Sequence, residues 1–440
     1  MSKKNVIIIG AAGRDFHNFN TYFRNNENYE IVAFTATQIP DISDRRYPPT
    51  LSGSLYPEGI PIYPEDEFDD LIKNHNIEQV ILAYSDLSYG YVMNLASRIL
   101  ANGADFRILG PKHTMIKSKL PVIAVLAVRT GSGKSQTTRK IGKILREQGK
   151  KVAVIRHPMP YGDLEKQRCQ RFDSYEDLKK HECTIEEMEE YEPHINEGNL
   201  VFAGVDFEEI LREAEKEADV ILFDGGNNDW SFYEADLTIT IADPHRLGHE
   251  RSYFPGEVNV RRAEVVIINK AATAPPGNIS KLKESIKELN PKAKILIANS
   301  PITVEDPKLI LNKRVLVVED GPTLTHGGMK YGAGHIAAKQ YKAKEIIDPR
   351  PFAMGSIKTT YQKYKHLSDV LPAMGYGEKQ MKELGDTINA SDCDTVVIGT
   401  PINLGRLLSI NKPSIRVTYD LEVQGQPSLK EIITDVIKKG

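Results

Sequence analysis

The chain has 440 residues, 40% of them apolar and 27% charged, with a formal net charge of −3. That length suggests two to three domains of a soluble globular protein, and so small a net charge gives no global basic field for nucleic acid or an anionic membrane. The three cysteines, Cys169, Cys183 and Cys393, lie far apart with neither disulfide nor metal spacing, which fits a reducing cytoplasm.

The N-terminus leads straight into a strand, its apolar run too short for a secretion signal. No stretch is long enough to span a bilayer. Asn5–Ile9 reads as a buried parallel strand. Gly10-Ala11-Ala12-Gly13-Arg14 follows as a first strand-to-helix turn of Rossmann form. Gly10, Gly13 and Arg14 are its candidate ligand residues. Phe16 occupies the third glycine position, however, and no acidic residue ends the next strand, Glu30–Phe34, to take a ribose hydroxyl. Phe68–Asn74 (helix), Gln79–Tyr84 (strand), Tyr89–Leu100 (helix) and Phe106–Leu109 (strand) then alternate. They predict a parallel, doubly wound sheet over residues 1–118.

A second domain, 119–320, opens on VIAVLAVRTGSGKS (122–135). A β-branched apolar run stops at Arg129, turns through Thr130-Gly131-Ser132-Gly133 and enters a helix at Lys134-Ser135-Gln136. This is the strand, glycine turn and helix of a phosphate cradle. Backbone N–H groups converge where no Cβ intrudes, Lys134 reaches the β- and γ-phosphates, and the Ser135 hydroxyl meets Mg²⁺. Val128 stands where such loops usually have their first glycine.

The next strand, Lys151–Ile155, ends in Arg156 and His157, candidate anion ligands, with Asp163 a candidate metal or water contact. Ser174–Glu192 is strongly charged and predicts a partly exposed helical insertion, with His181, Cys183 and His194 solvated. The apolar strand Asp219–Phe223 ends in Asp224, a carboxylate placed to hold Mg²⁺ through water. Asn227, Asn228 and Asp229 follow as substrate- or water-orienting groups. Leu237–Ile241 runs into DPHRLGHER (243–251), whose His245, Arg246 and His249 make a cationic loop suited to a polyanion. After Val265–Ile268 comes Asn269-Lys270-Ala271-Ala272. Guanine-reading P-loop proteins carry Asp where Ala272 stands, which favours ATP over GTP. In the third region, 321–440, Thr323, Thr325 and His326 lie in a glycine- and hydroxyl-rich turn, a second potential anion nest. Gly399-Thr400-Pro401 ends the strand Thr395–Ile398.

AVRTGSGKS (127–135), RHPMPYGDL (156–164), DGGNNDW (224–230), DPHRLGHE (243–250), NK (269–270), VEDGPTLTHGG (318–328), MGYGE (374–378) and GTP (399–401) together resemble the cyclic 2,3-diphosphoglycerate synthetase family over most of the chain. The opening GAAGRDFHNFN (10–20) is similar to a branch often labelled GTPase. The resemblance implies an α/β protein. A Rossmann-like N-terminal domain is followed by a P-loop NTPase with a doubly wound, mostly parallel sheet and a C-terminal extension that completes the site. It implies ATP-dependent closure of 2,3-diphosphoglycerate into its cyclic diphosphate, or a related ligation on a small polyanionic acid. Transfer of the γ-phosphoryl activates one group, and a second group displaces phosphate.

On that reading Lys134, Asp224, Arg156, His157 and Arg246 act at the reacting groups. Thr130, Gly131, Ser132, Gly133, Lys134, Ser135 and Gln136 hold ATP with Asn269, Lys270, Gly399, Thr400 and Pro401. Ser135 and Asp224 hold Mg²⁺. His157, Asn227, Asn228, His245, Arg246, His249, Thr323, Thr325 and His326 hold the substrate. The expected partner is a small polyanion rather than nucleic acid or membrane, with self-association left open. The alternative is a regulatory GTPase read by a protein partner.

Overall fold

Three large sheets, with a two-stranded pairing of Leu87–Ser88 and Tyr253–Phe254 beside them, organise the chain in the computed structural model, which describes residues 3–11, 13–36, 45–157, 162–226, 228–325, 328–367, 369–374 and 378–438. In the first sheet Lys4–Ile9 is central, paired in parallel with Tyr29–Ala36 and Gln79–Leu82. Only the edge strand Arg46–Tyr47 runs antiparallel. Val6–Ile9 can be wholly apolar because both faces are covered. Phe16, Phe19 and Phe23 pack on one side, Phe68, Leu95 and Ile99 on the other.

The second sheet has nine strands, and Val122–Ala127 lies between Val220–Asp224 and Leu237–Ala242, parallel to both. The chain departs in opposite directions from this strand, so a crevice opens at its C-terminal end, where ligands of such sheets bind. Arg156 and Asp224 end neighbouring strands in register, and the same edge of the sheet therefore carries both.

The third sheet is built on Arg314–Asp320 and Thr395–Ile398, with Ser414–Tyr419 and Ile302–Val304 beyond them. It thus begins near residue 302, not at 321. The chain's last part also departs from the expected boundary. Glu422–Gln424 adds an antiparallel edge to the second sheet, and Leu429, Ile432 and Ile433 join the core beneath the helix Lys134–Glu147. An apolar helix face drives this return, since it has no other surface to bury against.

The charged insertion is not a partly exposed appendage. Its helices Tyr175–Lys180 and Ile185–Asn196 lie between the second and third sheets, with Leu178, Ile185, Met188 and Tyr191 in one core with Leu316, Leu371 and Leu384. The apolar stripe 185/188/191 is interleaved with glutamates, and that composition hid it. Among the described residues no helix is long and apolar enough to cross a membrane.

Candidate active site

The strand Val122–Ala127 is buried along its whole length and delivers the chain to the glycine turn. Gly131 and Gly133 have φ of +79° and +107°, a region other residues enter only with strain, and the helix Lys134–Glu147 starts at once. Val128 replaces a glycine because it remains strand-like. Its N–H donates to Ile241 O at 2.9 Å, and its side chain is buried against Ala242 and Val260. Three side chains hold the loop's carbonyls from outside. Arg246 Nη1 donates to Thr130 O at 2.8 Å, Lys270 Nζ to Gly131 O at 2.7 Å, and Asn269 Nδ2 to Ser132 O at 3.0 Å. Both Arg246 and Lys270 also lie 3.1 Å from Asp243 Oδ2. Held by its carbonyls, the loop keeps its N–H edge toward the cradle.

At the neighbouring strand end Asp224 is fully buried among three nitrogen groups. Lys134 Nζ donates to Oδ1 at 2.5 Å, Arg156 Nη1 lies 2.5 Å from Oδ2, and His194 Nε2 lies 3.2 Å from Oδ2. Burial alone would raise the Asp224 pKa, but Arg156 and Lys134 overcome it and hold the group well below its usual range. Burial lowers Lys134 to about 8, with Asp224 pulling the other way. Burial likewise lowers His194 to about 4, so the ring is neutral, and a carboxylate partner requires the proton on Nε2. Arg156 is also paired with Glu190 of the insertion helix.

Two other glycine turns, the first strand-to-helix turn expected to bind a ligand and the turn 332–335 beyond the expected nest at Thr323–His326, are filled by the chain's own carboxylates. In the first, Asp15 Oδ1 accepts from Gly13 N at 2.9 Å and Phe16 N at 2.7 Å, and Asp15 packs against Gly10. Arg14 there is no ligand residue. It is buried, its Nε 3.0 Å from both Asp229 oxygens, its guanidinium over the Trp230 and Phe232 rings. In the second, Glu319 accepts from Gly332 N at 3.0 Å, Gly334 N at 3.2 Å and His335 N at 2.8 Å, closing the start of the helix Ala333–Gln340. Gly399 fits tightly against the same carboxylate. A glycine-rich turn looks alike in sequence whether phosphate or an internal carboxylate fills it.

The remaining candidates scatter. His157 sits between Gly13 and Gly226, where neither position has room for a Cβ, with its ring 5.8 Å from that of Phe232. It is a contact between the first two domains. His249 stacks on Tyr253 at 4.6 Å beside Arg129, and His245 Nε2 lies 3.0 Å from Thr273 Oγ1. Asn228 O accepts from Asn259 Nδ2 at 2.7 Å. Gln136 Nε2 donates to Ser300 Oγ at 2.8 Å. Thr325 Oγ1 donates within its own turn to Gly321 O, and Pro401 O accepts from Arg416 Nη2 at 2.9 Å. Thr323 does reach the cradle, its methyl 3.7 Å from where a Cβ on Gly131 would stand. Asn227, His326 and the turn 375–377 lie outside the described residues.

The residues that composition concealed are Glu186, Glu189, Glu190 and His194. Their spacing, i, i+3, i+4 and i+8, places them on one face of the helix Ile185–Asn196. That face meets Asp224 through Glu190–Arg156 and His194, and meets Thr400 through Glu189 Oε1 at 2.5 Å. The expected solvated His194 is instead part of the site.

No family model matches the sequence. Among solved structures the chain is similar to LpxK from Aquifex aeolicus in complex with ATP, at 12% identity and a TM-score of 0.44 over 84% of this chain and 99% of that one. It is similar also to the hydrogenase maturation factor HypB from Archaeoglobus fulgidus, at 17% identity and a TM-score of 0.23 over 41% of this chain and 80% of that one. Among curated proteins, arginine synthetase ArcE from Thermococcus kodakarensis is 63% identical over 436 residues, 99% of this chain and 97% of that protein. At that identity over nearly the whole of both chains, the chain belongs to the ArcE family of synthetase enzymes.

Proposed function

We propose that the chain is an ATP-dependent synthetase that forms arginine. The observation that carries the chemistry is the division of labour among the three glycine turns. Two are closed by Asp15 and Glu319, whereas the turn at Gly131–Lys134 is held open by Arg246, Lys270 and Asn269. ATP's phosphates belong there, and Lys134 turns from Asp224 to meet the γ-phosphoryl group. The name of the ArcE relative directs the substrate.

Building a guanidinium with ATP needs one activation. The oxygen on the carbon that becomes the guanidinium centre takes the γ-phosphoryl and then leaves as phosphate when an amine forms the C–N bond. The donor set fits Mg²⁺ at the Ser135 hydroxyl, with Asp224 reaching it through water because its oxygens already face Lys134, Arg156 and His194. Such an ion would neutralise phosphate charge. Ala272, its N–H donating to Asn299 Oδ1 at 2.8 Å, leaves no carboxylate for guanine's donors, which supports ATP over GTP.

Closure of 2,3-diphosphoglycerate, the reaction implied by the motif resemblance, is the second reading. It rests on the cationic loops, but Arg156, Arg246 and Lys270 are each matched by internal acids. The test is ADP release by the full chain, with a product assay for arginine, across ureido acids, amines and 2,3-diphosphoglycerate. Arginine formed in step with ADP supports the proposal. Stimulation by the diphosphate alone supports the second reading, and turnover indifferent to every small acid supports a regulatory GTPase.

A further inference from the structure

A cleft of about 720 Å³ opens between the insertion and the helices that flank the third sheet. One wall is Leu178 of the helix Tyr175–Lys180, with Ile185 and Met188 of the helix Ile185–Asn196. The other is Met381 and Gly385 of the helix Glu378–Ala390, with Leu407 and Leu408 at its edge. These apolar side chains continue the core that joins the insertion to the sheet. The cleft is separate from the nucleotide crevice. From Ile185 to His194, which lies on Asp224, the insertion helix rises about 14 Å.

Gly385 keeps this space open. It lies in the interior of its helix, where glycine is less stable than alanine. Its surroundings do not require glycine. A Cβ placed on it would meet Leu408 Cδ2 at 3.7 Å, an ordinary contact, and no other atom within 4 Å. The helix therefore gives up stability at a position that lines the cleft. Met188 and Met381, two other lining residues, are unbranched and refit readily around an apolar group.

Each wall also carries one cation and one acid. Lys179 and Glu182 stand on the insertion, and Lys382 and Asp386 stand one turn apart on the opposite helix. Among the described residues none of the four is in an ion pair. Their charges cancel, so the rim favours no ligand of net charge. It suits a neutral molecule whose ammonium and carboxylate sit close together above an apolar body.

We infer that this cleft is a binding site for a free α-amino acid with an apolar side chain. The side chain packs on Leu178, Met188 and Leu408, Lys179 and Lys382 serve the carboxylate, and Glu182 and Asp386 serve the ammonium. A plain hydrocarbon would leave the four charges unused, and a longer peptide carries its two terminal charges on different residues. The site does not depend on the synthetase reading.

The test is calorimetric titration of the full chain, wild type and Gly385→Met, with L-leucine and separately with L-phenylalanine. The controls are 4-methylpentanoate, which lacks the ammonium, 3-methylbutylamine, which lacks the carboxylate, and glycine, which lacks the side chain. An ATP analogue is titrated in parallel. The expected result is that wild type binds at least one of the two amino acids, with each control weaker by about tenfold or more. Gly385→Met, which fills the cleft, should weaken that binding by about tenfold or more and leave ATP-analogue affinity unchanged. Gly385→Ala should melt no lower than wild type, because its Cβ has room. Should Gly385→Met not fold, the double substitution Lys382→Gln with Asp386→Asn, on exposed positions, is read in the same way. The site is overturned if neither amino acid binds at millimolar concentration, if wild type and variant bind equally, or if a control binds as tightly as the amino acid. A lower melting temperature in Gly385→Ala would also overturn it, since packing would then account for the glycine.

Discussion

Lys134 and Asp224 hold each other at 2.5 Å inside the crevice of the second sheet. Asp224 ends one strand and Lys134 opens the helix that follows the adjacent parallel strand, so their meeting follows from strand order and not from their separation in sequence. Arg156 is the third member and carries two acids at once, Asp224 and Glu190.

This predicts opposite profiles for two substitutions. Lys134→Ala removes the group that meets the γ-phosphoryl but leaves Asp224 with Arg156 and His194. It should lower turnover by about 10²-fold or more, a loss of about 2–4 kcal/mol at the transition state, with little change in melting temperature. Arg156→Ala strands two acids and should cost about 3–5 kcal/mol of stability. Steady-state kinetics beside thermal melts check both. Equal destabilisation by the two would contradict the arrangement.

Nucleotide binding should depend on pH through Lys134. Its pKa, lowered to about 8 by burial, means the free protein loses the ammonium above that pH. Polyanion binding prefers the charged form, so affinity is level below pH 8 and falls toward tenfold per unit above it, about 1.4 kcal/mol per unit. Lys134→Arg should flatten the profile, because a guanidinium stays charged. Titrations of a fluorescent ATP analogue from pH 6.5 to 9.5 measure this, and a level wild-type profile would count against it.

Glu319 predicts a different pH effect, on stability. Burial raises it from 4.5 to about 7, even with three N–H donors. The folded state therefore holds a proton that the unfolded state has released. Stability from this group is greatest below about pH 4.5, declines by up to about 3 kcal/mol as pH rises toward 7, and is level beyond. Glu319→Gln should remove that slope. Urea melts at pH 5 and pH 8 compare the two proteins, and an unchanged slope would show that the carboxylate stays ionised.

Arg14 should matter for folding and not for ligand binding. Arg14→Met leaves Asp229 buried without its partner, at a cost of about 3–5 kcal/mol, and adding Asp229→Leu should recover much of it. ATP-analogue affinity should be unaffected in the double variant. A nucleotide or acid that binds wild type and not the double variant would restore the first turn as a ligand site.

These residues also show what the sequence could convey. The cradle and Asp224 were legible because each is local: an apolar strand, then glycines with Lys134 or a lone acid. The α/β class followed from the same alternation. Asp15, Glu319 and Arg14 were not legible, because a turn closed by a carboxylate and one awaiting phosphate share the same glycines. His194 and Glu189 were missed because their partners, Asp224 and Thr400, lie 30 and 211 positions away. The apolar stripe Ile185, Met188 and Tyr191, hidden among glutamates, was the available signal that the helix is buried.

Arginine formation is tested most sharply by running the reaction backwards. The full chain is incubated with Mg²⁺, ADP, phosphate and L-arginine, and ATP is withdrawn by a coupled trap as it forms. The expected result is ATP formation that requires L-arginine, is absent with L-lysine and is abolished in Lys134→Ala. No arginine-dependent ATP, alongside ATP consumption driven by 2,3-diphosphoglycerate, would contradict it.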